Sequence, residues 1–144
     1  MAALCSTAEH CESDIRRKLL LAKLPANDIQ DVIERLYVEG YLDTARYCRA
    51  YANDQLRFAH WGPQKIAASL RQKGLPDQDI REAIAQLPAS ELNDMLHDVL
   101  RSKLKQTSQP TREKLMRFAL SRGFAFDDVR DAVDDVLIRE DDDC

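Results

Sequence analysis

Much that would announce a chemistry is missing from this chain of 144 residues. No run approaches the roughly 20 apolar residues that a membrane-spanning helix needs, so no bilayer span is expected. The opening MAALCSTAEHC has no basic segment followed by an apolar stretch, and no export signal is read there. The four cysteines, Cys5, Cys11, Cys48 and Cys144, form no CxxC pair. Cys5, His10 and Cys11 lack zinc-site spacing, and no second ligand pair follows. Idle thiols in a reducing cytoplasm are the expectation, with no metal and no cofactor. There is no GxxxxGK[ST] loop to cradle phosphates, so nucleotide hydrolysis is not expected. The three histidines, His10, His60 and His97, lie far apart without a nucleophile motif. No catalytic residue is assigned, and the chain is expected not to be an enzyme. No run of alternating β-branched residues marks a strand. Only four glycines and five prolines interrupt a composition rich in Ala, Leu, Arg, Asp and Glu, which favours helix.

What is present is a repeat. A shift of 51 residues carries Ile15, Leu19, Leu24, Pro25 and Ile29 onto Ile66, Leu70, Leu75, Pro76 and Ile80. Val32, Ile33 and Leu36 fall on Ala83, Ile84 and Leu87. A further shift of 49 reaches Leu115, Ala119, Gly123, Phe124, Val129, Ala132, Val133 and Val136. Each copy reads as two amphipathic helices joined tightly. The first helix ends where Gly74 or Gly123 can take a left-handed cap, a position filled by Lys23 in the first copy. The second opens on Pro25 or Pro76, with Asp28, Asp79 or Asp127 near the positive helix start. A third helix follows in two copies: YLDTARYCRAYANDQLRFA, capped by Asp43, and SELNDMLHDVLRSKL, capped by Ser90. The expected fold is all-α: tandem three-helix repeats, three copies with the last truncated, in an elongated right-angled or curved array. The division is residues 1–60, 61–105, and 106–144 with an acidic, solvated C-terminal tail from Arg139. LPASE (87–91) and KQTSQPT (105–111) are the joints, the second the better hinge.

Charge is segregated along this array, although the net value is only −4. Tyr41 to Lys73 carries six basic residues against two acids; Arg101 to Arg122 carries seven against one. From Asp127 to Asp143 nine acids face two arginines. The cations Arg46, Arg49, Arg57, Lys65, Arg71 and Lys73, then Arg101, Lys103, Lys105, Arg112, Lys114, Arg117 and Arg122, exceed what solubility requires. They are the candidate binding face for an acidic protein surface, for phosphates, or for both. Trp61 sits among them in RFAHWGPQKIAASLRQKGL. With Gly62 as N-cap and Pro63 at the first helical position, Trp61 and Ile66 have the spacing of a hydrophobic staple, so Trp61 reads as a structural joint. Of the tyrosines, Tyr41 and Tyr51 are expected in the core and Tyr47 nearer the surface.

Two stretches resemble the RecX regulatory family. The first is Gly40, Tyr41, Leu42, Asp43, Thr44, Ala45, Arg46 and Tyr47; the second is Trp61, Gly62, Lys65, Ile66, Leu70, Lys73, Gly74 and Leu75. Thr44 stands where an acid is common, and Lys65 where arginine is common. The resemblance covers about residues 9 to 87. It implies tandem three-helix repeats, no catalysis, and one main partner, the RecA–DNA filament, in whose helical groove the protein would lodge to limit strand exchange, ATPase activity and filament growth. The chain is accordingly expected to be a cytoplasmic, monomeric negative regulator of RecA, with weak direct DNA binding allowed. The alternative is a stand-alone basic helical DNA-binding module.

Overall fold

The computed structural model describes residues 9–142, with side chains through 139. Among these residues there are eight α-helices and no strand: α1 Glu12–Leu21, α2 Ala26–Val38, α3 Thr44–Asp54, α4 Pro63–Gln72, α5 Asp77–Ala85, α6 Ala89–Gln106, α7 Arg112–Ser121 and α8 Phe126–Asp142. A π-helical turn, Gln55–Ala59, extends α3. Cys5, Cys144 and the side chains of the acidic tail beyond Arg139 lie outside the described residues. The backbone of α8 is nonetheless helical past Arg139, where the sequence reading starts a solvated tail.

The helix ends follow their local chemistry. Asp43 caps α3 by accepting the Arg46 N–H at 2.9 Å, and Thr111 caps α7 by accepting that of Lys114 at 3.2 Å. Gly62 precedes α4, which opens on Pro63. Pro25 and Pro76 stand one residue earlier than expected, as N-caps of α2 and α5 with extended backbone. The cap of α6 is Pro88 and not Ser90, because the connection from Leu87 is tight enough for the helix to start at Ala89. The left-handed positions after the first helices are real in all three copies: Gly74 at φ 82°, Gly123 at φ 93° and Lys23 at φ 64°.

The apolar faces gather into three clusters. One holds Ile15, Leu19, Ile29, Ile33 and Leu36 from α1 and α2, with Leu42 from the connection to α3. A second joins Tyr47, Cys48, Ala52 and Leu56 to Ile66, Leu70, Ile80 and Ala83, hence α3 with α4 and α5. A third joins Leu96, Val99 and Leu100 to Leu115, Ala119, Phe124, Val129 and Val133, hence α6 with α7 and α8. Ile66, Leu70, Leu100 and Leu115 are fully buried, and each such side chain contributes about 1.5–3 kcal/mol by leaving water. The long helix that the sequence division places at the end of a copy therefore packs at the start of the next: α3 lies on α5, and α6 on α8. The boundaries 1–60, 61–105 and 106–144 are out of phase with this packing. The hinge reading of 105–111 changes for the same reason, since that segment links α6 to α7 inside one cluster. Tyr47 is corrected as well: it is 6% exposed, in the second core, stacked on Tyr51 with ring centroids 5.8 Å apart. Its neighbours Cys48 and Ala52 share its helix face, and burial carries the ring inside with them.

The second and third clusters are joined by main chain. The Gly62 N–H donates to the Arg122 carbonyl at 2.6 Å, and the Gln64 N–H to that of Gly123 at 2.9 Å. Glycine is required at both positions by this approach: a Cβ on Gly62 would stand 2.5 Å from the Gly123 carbonyl, and one on Gly123 would overlap Lys65. Trp61, half-buried against the second cluster beside Ile66, precedes this contact directly.

Candidate partner-binding surface

The basic residues singled out from the sequence divide into two sets. Six are held by acids: Arg46 by Glu9 at 2.7 Å, Arg57 by Glu91 at 3.4 Å, Arg71 by Asp77 at 3.7 Å, Lys73 by Asp14 at 3.6 Å, Arg101 by Asp98 at 3.6 Å and Arg112 by Asp134 at 2.9 Å. The Arg112–Asp134 hydrogen bond holds the aspartate carboxyl below its ordinary range and the guanidinium above its own. The other seven, Arg49, Lys65, Lys103, Lys105, Lys114, Arg117 and Arg122, have no acid within ion-pair distance among the described residues. Arg49 stands alone and exposed on α3. Lys65 lays its ammonium over the Trp61 ring, 4.8 Å from the centroid.

Four of the remaining five, Lys103, Lys114, Arg117 and Arg122, lie where the C-terminal half of α6 meets α7, while Lys105 lines neither hollow there. Lys103, Lys114 and Arg117 line an open groove of about 520 Å³ with Thr107, Phe118 and Ser121. Lys103 and Phe118 also border a hollow of about 270 Å³ that includes Arg122, Asp98 and, from the end of the π-helical turn, Ala59 and His60. Phe118 is the centre of this arrangement. The Lys103 ammonium is 4.9 Å and the Arg122 guanidinium 5.1 Å from its ring centroid. A ring flanked by two cations holds their charge in place without an acid to neutralise it. The groove therefore offers positive charge and one aromatic face, a set suited to carboxylates or phosphates, while the Thr107 and Ser121 hydroxyls on its wall donate to the Lys103 and Phe118 carbonyls.

Sequence reasoning passed over Phe118. The signal was an aromatic amid cations, the same one that drew notice to Trp61: Phe118 follows Arg117 within the more basic of the two segments. What the sequence could not convey is that Lys103, fifteen positions earlier, reaches the same ring from another helix.

The opposite face of this unit is acidic. Asp94 and Asp98 of α6 look across a groove of about 630 Å³ at Asp128, Asp131 and Asp135 of α8, with Arg101 and Arg139 at its sides. His97 joins the two helices there, its ring nitrogens 2.8 Å from the Asn93 carbonyl oxygen and 3.2 Å from Asp135 Oδ2. The acids of α8 are thus turned largely away from the basic groove; the Arg112–Asp134 pair is a bridge between the two charge territories.

Comparison with known proteins agrees with this architecture. A family model described as the second three-helix domain of RecX matches residues 43–84, from the Asp43 cap into α5, hence the three helices that share the second core. The regulatory protein RecX of Prosthecochloris aestuarii is 30% identical over 131 residues, covering 90% of this chain and 85% of that protein. That of Herbaspirillum seropedicae is 30% identical over 141 residues, covering 95% and 88%. A crystal structure of regulatory protein RecX superposes with a TM-score of 0.81 at 23% identity, over 92% of this chain and 67% of that one. RecX from Lactobacillus salivarius gives 0.79 at 16% identity, over 94% and 91%; these two establish likeness of fold. No helix among the described residues is long and apolar enough to cross a membrane. With curated relatives at this identity over most of both chains, the protein belongs to the RecX family of regulatory proteins.

Proposed function

We propose that this chain is a non-enzymatic, cytoplasmic, monomeric negative regulator of RecA that binds the RecA–DNA filament in its helical groove and limits ATPase activity, strand exchange and filament growth. The observation that carries the site is the convergence around Phe118 of Lys103, Lys114, Arg117 and Arg122, none in an ion pair among the described residues, with Asp98 on the rim already paired to Arg101. Cations already paired in the free protein must first release their own acid, so they add less to affinity than unpaired cations, which gain the full contact. The groove of the third unit is therefore the main grip, and Arg49 and Lys65 are secondary points. Several modest contacts on one array combine through effective concentration. The test is RecA ATPase and strand exchange with rising amounts of the protein and of a Lys114→Glu/Arg117→Glu variant. Inhibition by the parent that is lost in the variant supports the reading; a parent that inhibits neither activity at saturation overturns it.

A second reading rests on Phe118. One aromatic in a groove of cations also suits a nucleic acid strand, with phosphates on the cations and a base on the ring. A stand-alone DNA binder would grip bare DNA as tightly as the filament, with affinity falling steeply in salt.

A further inference from the structure

The first helix pair is attached to the rest of the chain quite differently from the third unit. Its apolar cluster shares no residue with the second. What crosses the joint is mostly polar and centred on Cys11. This thiol, 3% exposed, is the residue ahead of α1 that enters the second core. Its Sγ lies 3.1 Å from Asp14 Oδ2 and 3.2 Å from Ser13 Oγ. Around it stand two ion pairs, Glu9–Arg46 at 2.7 Å and Asp14–Lys73 at 3.6 Å. Arg46 reaches further, donating to the Gly40 carbonyl at 2.9 Å at the end of the α1–α2 unit.

The joint is also imperfectly satisfied. Among the described residues, buried polar atoms without a hydrogen-bond partner include Glu9 Oε2, His10 Nε2 and Arg46 Nε. The Arg46 Nε contact with Glu9 is close but poorly aligned for a hydrogen bond. Buried groups left without partners oppose the closed arrangement. The joint is thus shut by charge around one buried thiol, with unmet polar groups working against it.

We propose that Glu9–Arg46 and Asp14–Lys73 form a latch that holds the first helix pair on the second unit, and that carboxylates of an acidic protein partner open it by displacing Glu9 and Asp14 from these two cations. The occupants already present are carboxylates, so a partner's Asp or Glu replaces like with like. Arg46 and Lys73 then serve as exchange points. In the free protein they fix the first unit; in a complex they hold the partner, and the first unit swings clear. The latch stands on the geometry of this joint and does not depend on the identity of the partner.

Cys11 reports the state of the latch and Cys48 controls for it. Both are buried in the second core, but Cys48 is held there by α3 and its neighbours from α4 and α5, so an opening of the first pair exposes Cys11 far more than Cys48. In a Cys5→Ser/Cys144→Ser background, the alkylation rate of each thiol is followed by peptide mass spectrometry. An exposed or half-exposed pair shifts such an opening by up to about fivefold, so Glu9→Gln/Asp14→Asn should speed Cys11 labelling by roughly tenfold with a much smaller change at Cys48. Soluble poly-glutamate, added at constant ionic strength, should speed Cys11 selectively in the parent and have little effect in the variant. Equal acceleration of both thiols would mean global loosening and overturn the latch. No acceleration in the variant would overturn it too, and no response to poly-glutamate would overturn partner-driven opening. The RecA assays above are independent of these outcomes, so the two readings fail separately.

Discussion

Gly62 and Gly123 meet main chain to main chain, and each is kept side-chain-free by the other's neighbourhood. A Cβ on Gly62 would stand 2.5 Å from the carbonyl of Gly123, and a Cβ on Gly123 would overlap the backbone nitrogen of Lys65. The two belong to different units, so this contact sets how the third unit sits on the second.

Three alanine substitutions separate the forces at work. Gly74→Ala carries backbone strain alone, since φ is 82° and nothing lies within reach of the new methyl. It should cost about 1 kcal/mol, the left-handed penalty less the gain from a stiffer unfolded chain. Gly62→Ala carries the clash alone, at about 1–3 kcal/mol. Gly123→Ala carries both and should be the worst, at about 2–4 kcal/mol. Urea unfolding of the three variants reads the order directly, and Gly74→Ala as costly as Gly123→Ala would contradict the close approach.

Lys23 holds the left-handed position that glycine fills in the other copies, at φ 64°. Lys23→Gly should stabilise by about 0.5 kcal/mol, because relief of roughly 1–2 kcal/mol of backbone strain exceeds the added chain entropy. A rise in the thermal midpoint checks it.

Burial first, and the charge of Asp79 second, push the Cys48 thiol up to about 11. Below about pH 9 the thiol is protonated both folded and unfolded, so it exerts no pH effect there. Between about pH 9 and 11 the unfolded chain loses the proton while the folded one keeps it, and stability falls as pH rises by about 2 kcal/mol. Burial raises the Tyr47 hydroxyl too, which adds to the fall in the alkaline limb. The difference in urea stability between the parent and Cys48→Ala should shrink over this window; a difference independent of pH would remove the thiol as its source.

Phe118→Leu preserves much of the apolar contact of the ring but removes the surface on which Lys103 and Arg122 rest. Filament affinity should drop about fivefold to thirtyfold, since a cation–aromatic contact is worth roughly 0.5–1 kcal/mol at an exposed site and two are lost. Co-sedimentation with RecA filaments measures it, with the thermal midpoint as a check on folding.

The repeat itself was legible because it is written in apolar spacing: Ile15, Ile66 and Leu115 recur in register and are all buried. Caps at Asp43, Gly62 and Thr111 were legible because each depends on one residue and its immediate neighbours. Tyr47 was misplaced because a polar-tipped ring on a helix can face either way, and the side it takes is set by α5, thirty residues off. The division of the cations was hidden for a related reason. Nothing local tells Arg46 that Glu9 is near, or Lys73 that Asp14 is, while Lys114 and Arg117 find no such acid. Charge segregation located the two basic segments; ion pairing across the fold decides which charges are at liberty.

A periodic text has no preferred first letter, and this one can be cut into equal lengths at any phase. Packing chooses the phase. Because Tyr47, Cys48 and Ala52 share a core with Ile66, Leu70 and Ile80, a fragment cut at Trp61 divides that core, whereas cuts near Leu42 and Pro88 keep all of its buried residues but Cys11. A gene that grew by copying could have been broken at either place and kept the same period. Only one of those breaks transmits an intact fold to each daughter segment.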